Sequence, residues 1–459
     1  MSGREKGHKS RRDFLKEGAG LAAGASFLPR LGRSRDDRPN IIVMIADNLG
    51  WRDLGCYGED DVSTPNIDEM AEEGVKFTNA FVTAPSCSPS RASMISGQSP
   101  HSVNVLGLTH LYPHYQMPLA VDTMPECLKK AGYATAINGK WHVSPYRPVS
   151  WYGYQKHLGM FAIKEADKAR KFISENRDRP FFLEMNFMQT HRPAFPNISY
   201  AYEQHPEYPV DPEKIDVPDY WGLPDWPEIR KDVAAYYSQA AFMDQVIGDV
   251  MAHLEKEGLS ENTLVIFVSD NGPMYPGGIG FCYDFGIGTP LIMRWPAGLD
   301  QGREVAGLCS TIDIMPTALS AAGVSVPDEV QGMSLLDAGR GSPGATHDAI
   351  FAEMTYHVRY TPMRAIRTQD YKYILNLNDE PVGLDMCKDF DWAVRAAKRP
   401  DVPGLDPRPP EELFDLRQDP TEKNNLADKP GLADVKEEFK SRLAKWRAET
   451  NDPLLLEED

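Results

Sequence analysis

The chain is poor in cysteine, with six in 459 residues, and the six are scattered: Cys56, Cys87, Cys127, Cys282, Cys309 and Cys387. No C-x-x-C pair occurs, so the pattern implies neither a zinc site nor a dense disulfide framework. A bilayer-spanning run of ~20 apolar residues is also missing, which excludes a helical membrane span. Positive charge is in deficit too, with 49 Lys and Arg against 67 Asp and Glu and a formal net charge of −18. Such a surface repels nucleic acid and other long polyanions, and any anionic ligand needs a locally positive pocket. No internal repeat or low-complexity tract is present.

What remains is ordinary soluble composition, 41% hydrophobic and 25% charged. The length suits one large and one smaller domain. Residues 1–35 carry Ser10-Arg11-Arg12-Asp13-Phe14-Leu15-Lys16 before a short, weakly apolar stretch from Gly18 to Leu28. This resembles a twin-arginine export signal, which places the mature protein in the periplasm or outside the cell.

Strand and helix patterns alternate from residue 38 to about 328. Asn40–Ala46 and Thr263–Ser269 are continuous apolar, β-branched runs, expected as strands buried on both faces. Further strands are expected over 77–82, 133–137, 181–187 and 289–295. Helices are expected over 64–71, 90–96, 123–131, 162–176, 228–256 and 313–322. The alternation predicts an α/β fold with a large, mainly parallel sheet flanked by helices. Residues 329–459 predict a smaller α+β domain with an antiparallel sheet (349–354, 363–368, 372–377) and a terminal helix over 434–450. The Pro-, Tyr- and Trp-rich segment 193–227 reads as a long insertion. Its aromatics suit either stacking on sugar rings or packing under the loop.

Four of these strands end in polar residues: Asp47-Asn48, Lys140-Trp141-His142, His191 and Asp270-Asn271. Open α/β sheets bind ligands at such ends. Asp47, Asn48, Asp270 and Asn271 are hard oxygen donors suited to Ca²⁺, and less to the stricter Mg²⁺. Either Asp-Asn pair alone is more often a turn or helix cap. Cys87-Ser88-Pro89-Ser90-Arg91 reads C-x-P-x-R and opens a predicted helix, whose N-terminus offers backbone N–H groups.

Together these motifs resemble the type I sulfatases, with the alkaline phosphatase-like fold. Matches in the segments from His101 to His110, Pro362 to Asn378, Leu413 to Leu426 and Leu443 to Pro453 resemble the heparan N-sulfatase (sulfamidase) branch. The resemblance covers residues 40–459. It implies that Cys87 is converted to formylglycine by a modifying enzyme and acts, as its hydrate, as nucleophile and metal ligand. It implies metal ligation by Asp47, Asn48, Asp270 and Asn271, with Arg91 holding the formylglycine. Lys140 would offset sulfate charge, and His142 would take the proton that expels sulfate and regenerates the aldehyde. His191 would donate to the leaving group. Arg364 and His101 are candidate substrate contacts, and His110 a candidate pocket wall.

The implied substrate is a sulfated saccharide, foremost N-sulfoglucosamine of heparan fragments. An O-sulfated glycan, a phosphonate or phosphodiester, and an inactive glycan-binding role are the alternatives. Two positions depart from the family pattern. Asn48 stands where the family usually has a second aspartate. Ile279 stands where it has a sulfate-holding Lys or Arg, leaving Arg294 or another cation to substitute.

Overall fold

The computed structural model describes residues 37–192, 203–342, 344–379, 391–396, 398 and 407–457. The N-terminal segment 1–35, residues 193–202 of the aromatic insertion and Cys387 lie outside them.

The strands are β1 (Asn40–Ala46), β2 (Val75–Phe77), β3 (Ala80–Phe81), β4 (Ala134–Gly139), β5 (Lys156–His157), β6 (Phe181–Asn186) and β7 (Thr263–Ser269), followed by β8 (Leu291–Arg294), β9 (Arg303–Val305), β10 (Cys309–Ser310), β11 (Ile350–Tyr356), β12 (Tyr360–Arg367), β13 (Tyr371–Asn376) and β14 (Glu411–Asp415). An eight-stranded sheet runs β5-β4-β6-β1-β7-β8-β2-β9. Its central neighbours β4, β6, β1 and β7 are parallel, while β8 runs antiparallel to both β7 and β2.

The apolar runs explain the layering. Successive side chains on a strand point to opposite faces. In β1, Ile42, Met44 and Ala46 enter one core, and Ile41, Val43 and Ile45 the other. β7 divides in the same way, with Val265 and Phe267 opposite Leu264, Ile266 and Val268. The first core is covered by α1 (Pro65–Glu72), α4 (Ala166–Glu175) and the long α5 (Pro227–Lys256). On the other face lie α2 (Cys87–Ser96), α3 (Met124–Lys130) and the helix Ile314–Ala321.

The four-stranded antiparallel sheet β11-β12-β13-β14 shares that second core through Ile350, Ala352, Met354, Met363, Ala365, Ile374 and Phe414. Ile366, Tyr373 and Leu413 face the other way, against Phe439 and Leu443 of the terminal helix Ala433–Glu449.

Two expectations shift. The strand expected over 77–82 is two pieces, because β3 leaves the large sheet to pair with β10. β14 was not anticipated, since Glu411 and Glu412 interrupt its apolar pattern. Among the described residues no helix is long and apolar enough to cross a membrane. The five described cysteines are free thiols.

Candidate active site

The carboxyl ends of β4, β6, β1 and β7 are adjacent in the sheet, and this adjacency gathers the site. Backbone bonds lock the ends together: Asp47 N–H donates to Gln189 O (2.9 Å), Thr190 N–H to Asp47 O (2.8 Å) and Asp270 N–H to Ala46 O (3.1 Å). Asn48 sits at φ 64°, the left-handed region that asparagine tolerates well.

Cys87 is the first residue of α2, not a residue ahead of it. Pro89 is compatible with this start, because the first turn needs no N–H donor there. All ten residues of α2 are buried. The Cys87 Sγ is 3.5 Å from Asp47 Oδ1 and 3.8 Å from Asn48 Oδ1. Burial chiefly, with Asp270 and Asp47 adding and Lys140 opposing, pushes its thiol well up.

One turn on, Arg91 Nε donates to Asp270 Oδ2 at 2.8 Å, and its Nη2 is 3.9 Å from Asp47. Lys140 Nζ donates to Asp47 Oδ2 at 2.6 Å. Burial opposes ionisation of Asp47, but Lys140, His191 and Arg91 outweigh it and hold the carboxyl well below the usual range. Asp270 moves the other way, to about 6, through burial and the charge of Asp47. Ligating atoms of Asp47, Cys87 and His191 lie within 4.8 Å of one another. His142 is bonded through Nε2 to His110 Nδ1, while its own Nδ1 is buried without a hydrogen-bond partner among the described residues.

The donor set fits a divalent cation. Asp47 and Asp270 supply carboxylates, and Asn271 Oδ1 is a buried acceptor with no hydrogen-bond partner among the described residues. Asn48 Oδ1 is turned to the same place and accepts from Asn271 Nδ2 at 2.7 Å. Oxygen-rich sets of this kind suit hard divalent cations.

The structure thus brings together Asp47, Asn48, Cys87, Arg91, Lys140, His142, His191, Asp270 and Asn271. It does not bring Arg364 or His101 into this cluster. Arg364 is fully buried. Its Nε and Nη2 donate to Asp452 at 2.8 Å each, and its Nη1 to Met354 O, Thr355 Oγ1 and Met363 O. His101 pairs with Glu353 and packs on Trp446. Arg364 ties β12 to β11 and to Asp452 beyond the terminal helix, and His101 ties the loop after α2 to Glu353 of β11.

Arg294 does not replace a cation at position 279. It bonds Glu73 at 2.7 Å and pairs in register with Val265, toward the far end of β7. Ile279 itself packs on Cys87, Leu108 and Met274. In the aromatic insertion, Trp221 is fully buried among Tyr236, Tyr275 and Phe285, so it serves packing. A cavity of about 690 Å³ beside Trp51, Tyr220, Phe285 and Arg408 contains none of the predicted site residues.

His357, which belongs to none of the motifs above, stands at this site. It follows β11, and its Nδ1 lies 2.8 Å from the hydroxyl of Ser86, the residue before Cys87.

A sequence model of the sulfatase family matches residues 39–324, and one described as the C-terminal part of N-sulphoglucosamine sulphohydrolase matches residues 279–389. Human N-sulphoglucosamine sulphohydrolase is 30% identical, with 96% of each chain covered. A Formosa agariphila ulvan-active sulfatase is 27% identical, covering 92% of this chain and 77% of its own. A solved structure holding its substrate D-glucosamine-2-N,6-O-disulfate superimposes with a TM-score of 0.68 at 24% identity, covering 90% of this chain and 98% of that one. That last likeness speaks for the fold. On the family match over more than half its length, the chain belongs to the sulfatase family and is a hydrolase of sulfate esters or sulfamates.

Proposed function

We propose that the protein hydrolyses sulfated glycans, acting first on the sulfamate of N-sulfoglucosamine in heparan fragments. The observation that carries this reading is Cys87 at the head of α2, 3.5 Å from Asp47, with Lys140, His142 and His191 around it. The likeness to the human enzyme along both chains, with the separate C-terminal match, favours the sulfamate.

Residue 87, converted to hydrated formylglycine, would supply the nucleophilic oxygen, and covalent catalysis divides a hard displacement into two easier steps. A divalent cation held by Asp47, Asn48, Asp270 and Asn271 would polarise the sulfate oxygens. Arg91 fixes Asp270 and keeps the α2 N-terminus on the carboxylates. Lys140 carries positive charge to the same carboxylate edge, where an anionic substrate gathers. His142 presents its unpartnered Nδ1 as proton acceptor. His191 donates a proton to the departing amine, a task suited to imidazole near neutral pH.

The proposal includes a formylglycine-generating enzyme acting on Cys87 and export through the twin-arginine segment. A second reading keeps the chemistry and moves it to an O-sulfate, favoured by the ulvan-active relatives. The test is sulfate release from N-sulfoglucosamine and glucosamine 6-O-sulfate, with Cys87 conversion confirmed by peptide mass and Cys87→Ala as control. Preferential release from the sulfamate supports the first reading, and preferential release from the ester the second. No release from either by fully converted protein refutes both.

A further inference from the structure

Ile279 leaves an apolar wall beside Cys87 where the family resemblance places a sulfate-holding cation. The neighbouring cations are engaged elsewhere. Lys140 sits on Asp47 and Arg91 on Asp270. Arg192, next to His191, is fully buried against Asp232. A sulfuryl group in transfer spreads charge over its oxygens, and each oxygen removed from water needs a donor.

The C-terminal sheet delivers one. The strand β11 is stitched to both sides of α2, with Glu353 N–H donating to Thr83 O before it at 2.8 Å and Tyr356 N–H to Leu106 O beyond it at 3.0 Å. The next residue, His357, therefore lands on Ser86 and is 6% exposed. Its Nε2 makes no hydrogen bond among the described residues. The titratable groups facing it are His191, Lys140 and His110, all members of the site. Burial first, then these three groups, push His357 down to about 3. The ring is therefore neutral near pH 7, and a Ser86 hydroxyl donating into Nδ1 leaves the hydrogen on Nε2.

We propose that His357 binds the sulfate or sulfamate group of the substrate through Nε2–H, in place of the cation absent at position 279. The inference rests on the sulfatase reading above and names the residue that grips the anion. A neutral donor leaves the pocket one charge poorer than a lysine or arginine would. That favours a monoanionic sulfamate or sulfate ester over a dianionic phosphate monoester.

The test is titration calorimetry of N-sulfoglucosamine, and separately of inorganic sulfate, on calcium-supplied Cys87→Ala protein, which binds without turnover. His357→Ala weakens both by about tenfold, the scale of one lost hydrogen bond to a charged group. Glutamine carries its amide nitrogen close to the place of imidazole Nε2, so His357→Gln recovers most of the loss, whereas His357→Asn does not. If His357→Gln falls as far as His357→Ala, the side chain only props the loop and the proposal is overturned. Equal affinities across all variants overturn it as well. If the parent protein binds sulfate but not N-sulfoglucosamine, the substrate class proposed above fails, and the sulfate series alone then decides the role of His357.

Discussion

His110 Nδ1 lies 2.7 Å from His142 Nε2, with the two rings stacked 4.8 Å apart at 28°. Two neutral imidazoles at that distance share one hydrogen, so one nitrogen donates and the other accepts. Both rings are held below their ordinary pKa, first by burial and then by Lys140, which keeps them neutral near pH 7. If His110 accepts, His142 donates from Nε2, and its buried Nδ1 becomes the lone-pair nitrogen. We predict this arrangement, in which His110 is a positioning residue that fixes the tautomer of His142.

His110→Leu should therefore lower kcat about tenfold to a hundredfold, the range seen when an orienting partner of a functional histidine is removed. KM should move far less. Asparagine places its Oδ1 near the position of imidazole Nδ1, so His110→Asn should recover most of kcat. Steady-state kinetics on the released sulfate decides it: equal kcat in wild type and His110→Leu would falsify the tautomer role.

Metal removal gives a second expectation. Burial and the charge of Asp47 push Asp270 up, a conflict that a bound divalent cation relieves. Exhaustive chelation should abolish sulfate release and calcium should restore it. The melting temperature should also rise with calcium concentration, because an ion that binds the folded state stabilises it by mass action. A thermal scan indifferent to calcium, with turnover intact after chelation, removes the metal assignment. Asn48→Asp should tighten calcium binding by adding a ligand charge, although the left-handed backbone at φ 64° limits the gain.

The central strands and the polar cluster at their ends are legible because each is a local pattern. Asn40–Ala46 and Thr263–Ser269 are apolar on both faces and end where a polar pair begins, so period and punctuation agreed. The start of α2 is less legible: the sequence places it near Ser90, whereas the helix begins at Cys87, with Pro89 in a first turn that accepts proline. His357 was invisible for a different reason. It is 271 positions from Ser86 along the chain, and only the pairing of β11 against the 83–86 segment brings the two together. Arg364 misled because a lone arginine in sequence carries no information about burial. Its partner Asp452 lies 88 positions away, just beyond the terminal helix Ala433–Glu449.

That pair makes a third prediction. Arg364 and Asp452 are both buried, and Arg447 Nε also donates to Asp452 at 2.9 Å. Removing one partner of a buried ion pair strands the other and costs about 3–5 kcal/mol. Urea unfolding of Arg364→Ala should show a loss of that order, with KM for the saccharide unmoved in protein that remains folded. A raised KM with unchanged unfolding would return Arg364 to the substrate.

The fourth prediction concerns the buried cluster behind the large cavity, where Lys372 Nζ is 2.9 Å from both Asp284 Oδ1 and Glu422 Oε1 and Arg367 Nη2 is 3.1 Å from Asp284 Oδ2. Burial disfavours ionised Asp284, but Arg367 and Lys372 prevail and bring it to about 2. Glu422 goes to about 7, because burial, aided by the charge of Asp284, exceeds the pull of Lys372. The two act on stability with opposite signs. Asp284 has a folded pKa below its unfolded value of about 3.9, so its contribution is complete above pH ~4 and is lost as pH falls toward 2. Glu422 has a folded pKa above its unfolded value of about 4.3, so its contribution is complete below that and is lost as pH rises through 7. The cluster should therefore stabilise most near pH 4–5, with each limb on the order of 2 kcal/mol. Urea unfolding across pH 3 to 8 reads both limbs. Asp284→Asn should flatten the acid limb and Glu422→Gln the limb between pH 5 and 7. If Glu422→Gln leaves that second limb as steep as in wild type, Glu422 ionises normally in the folded protein and the raised carboxyl belongs to another residue.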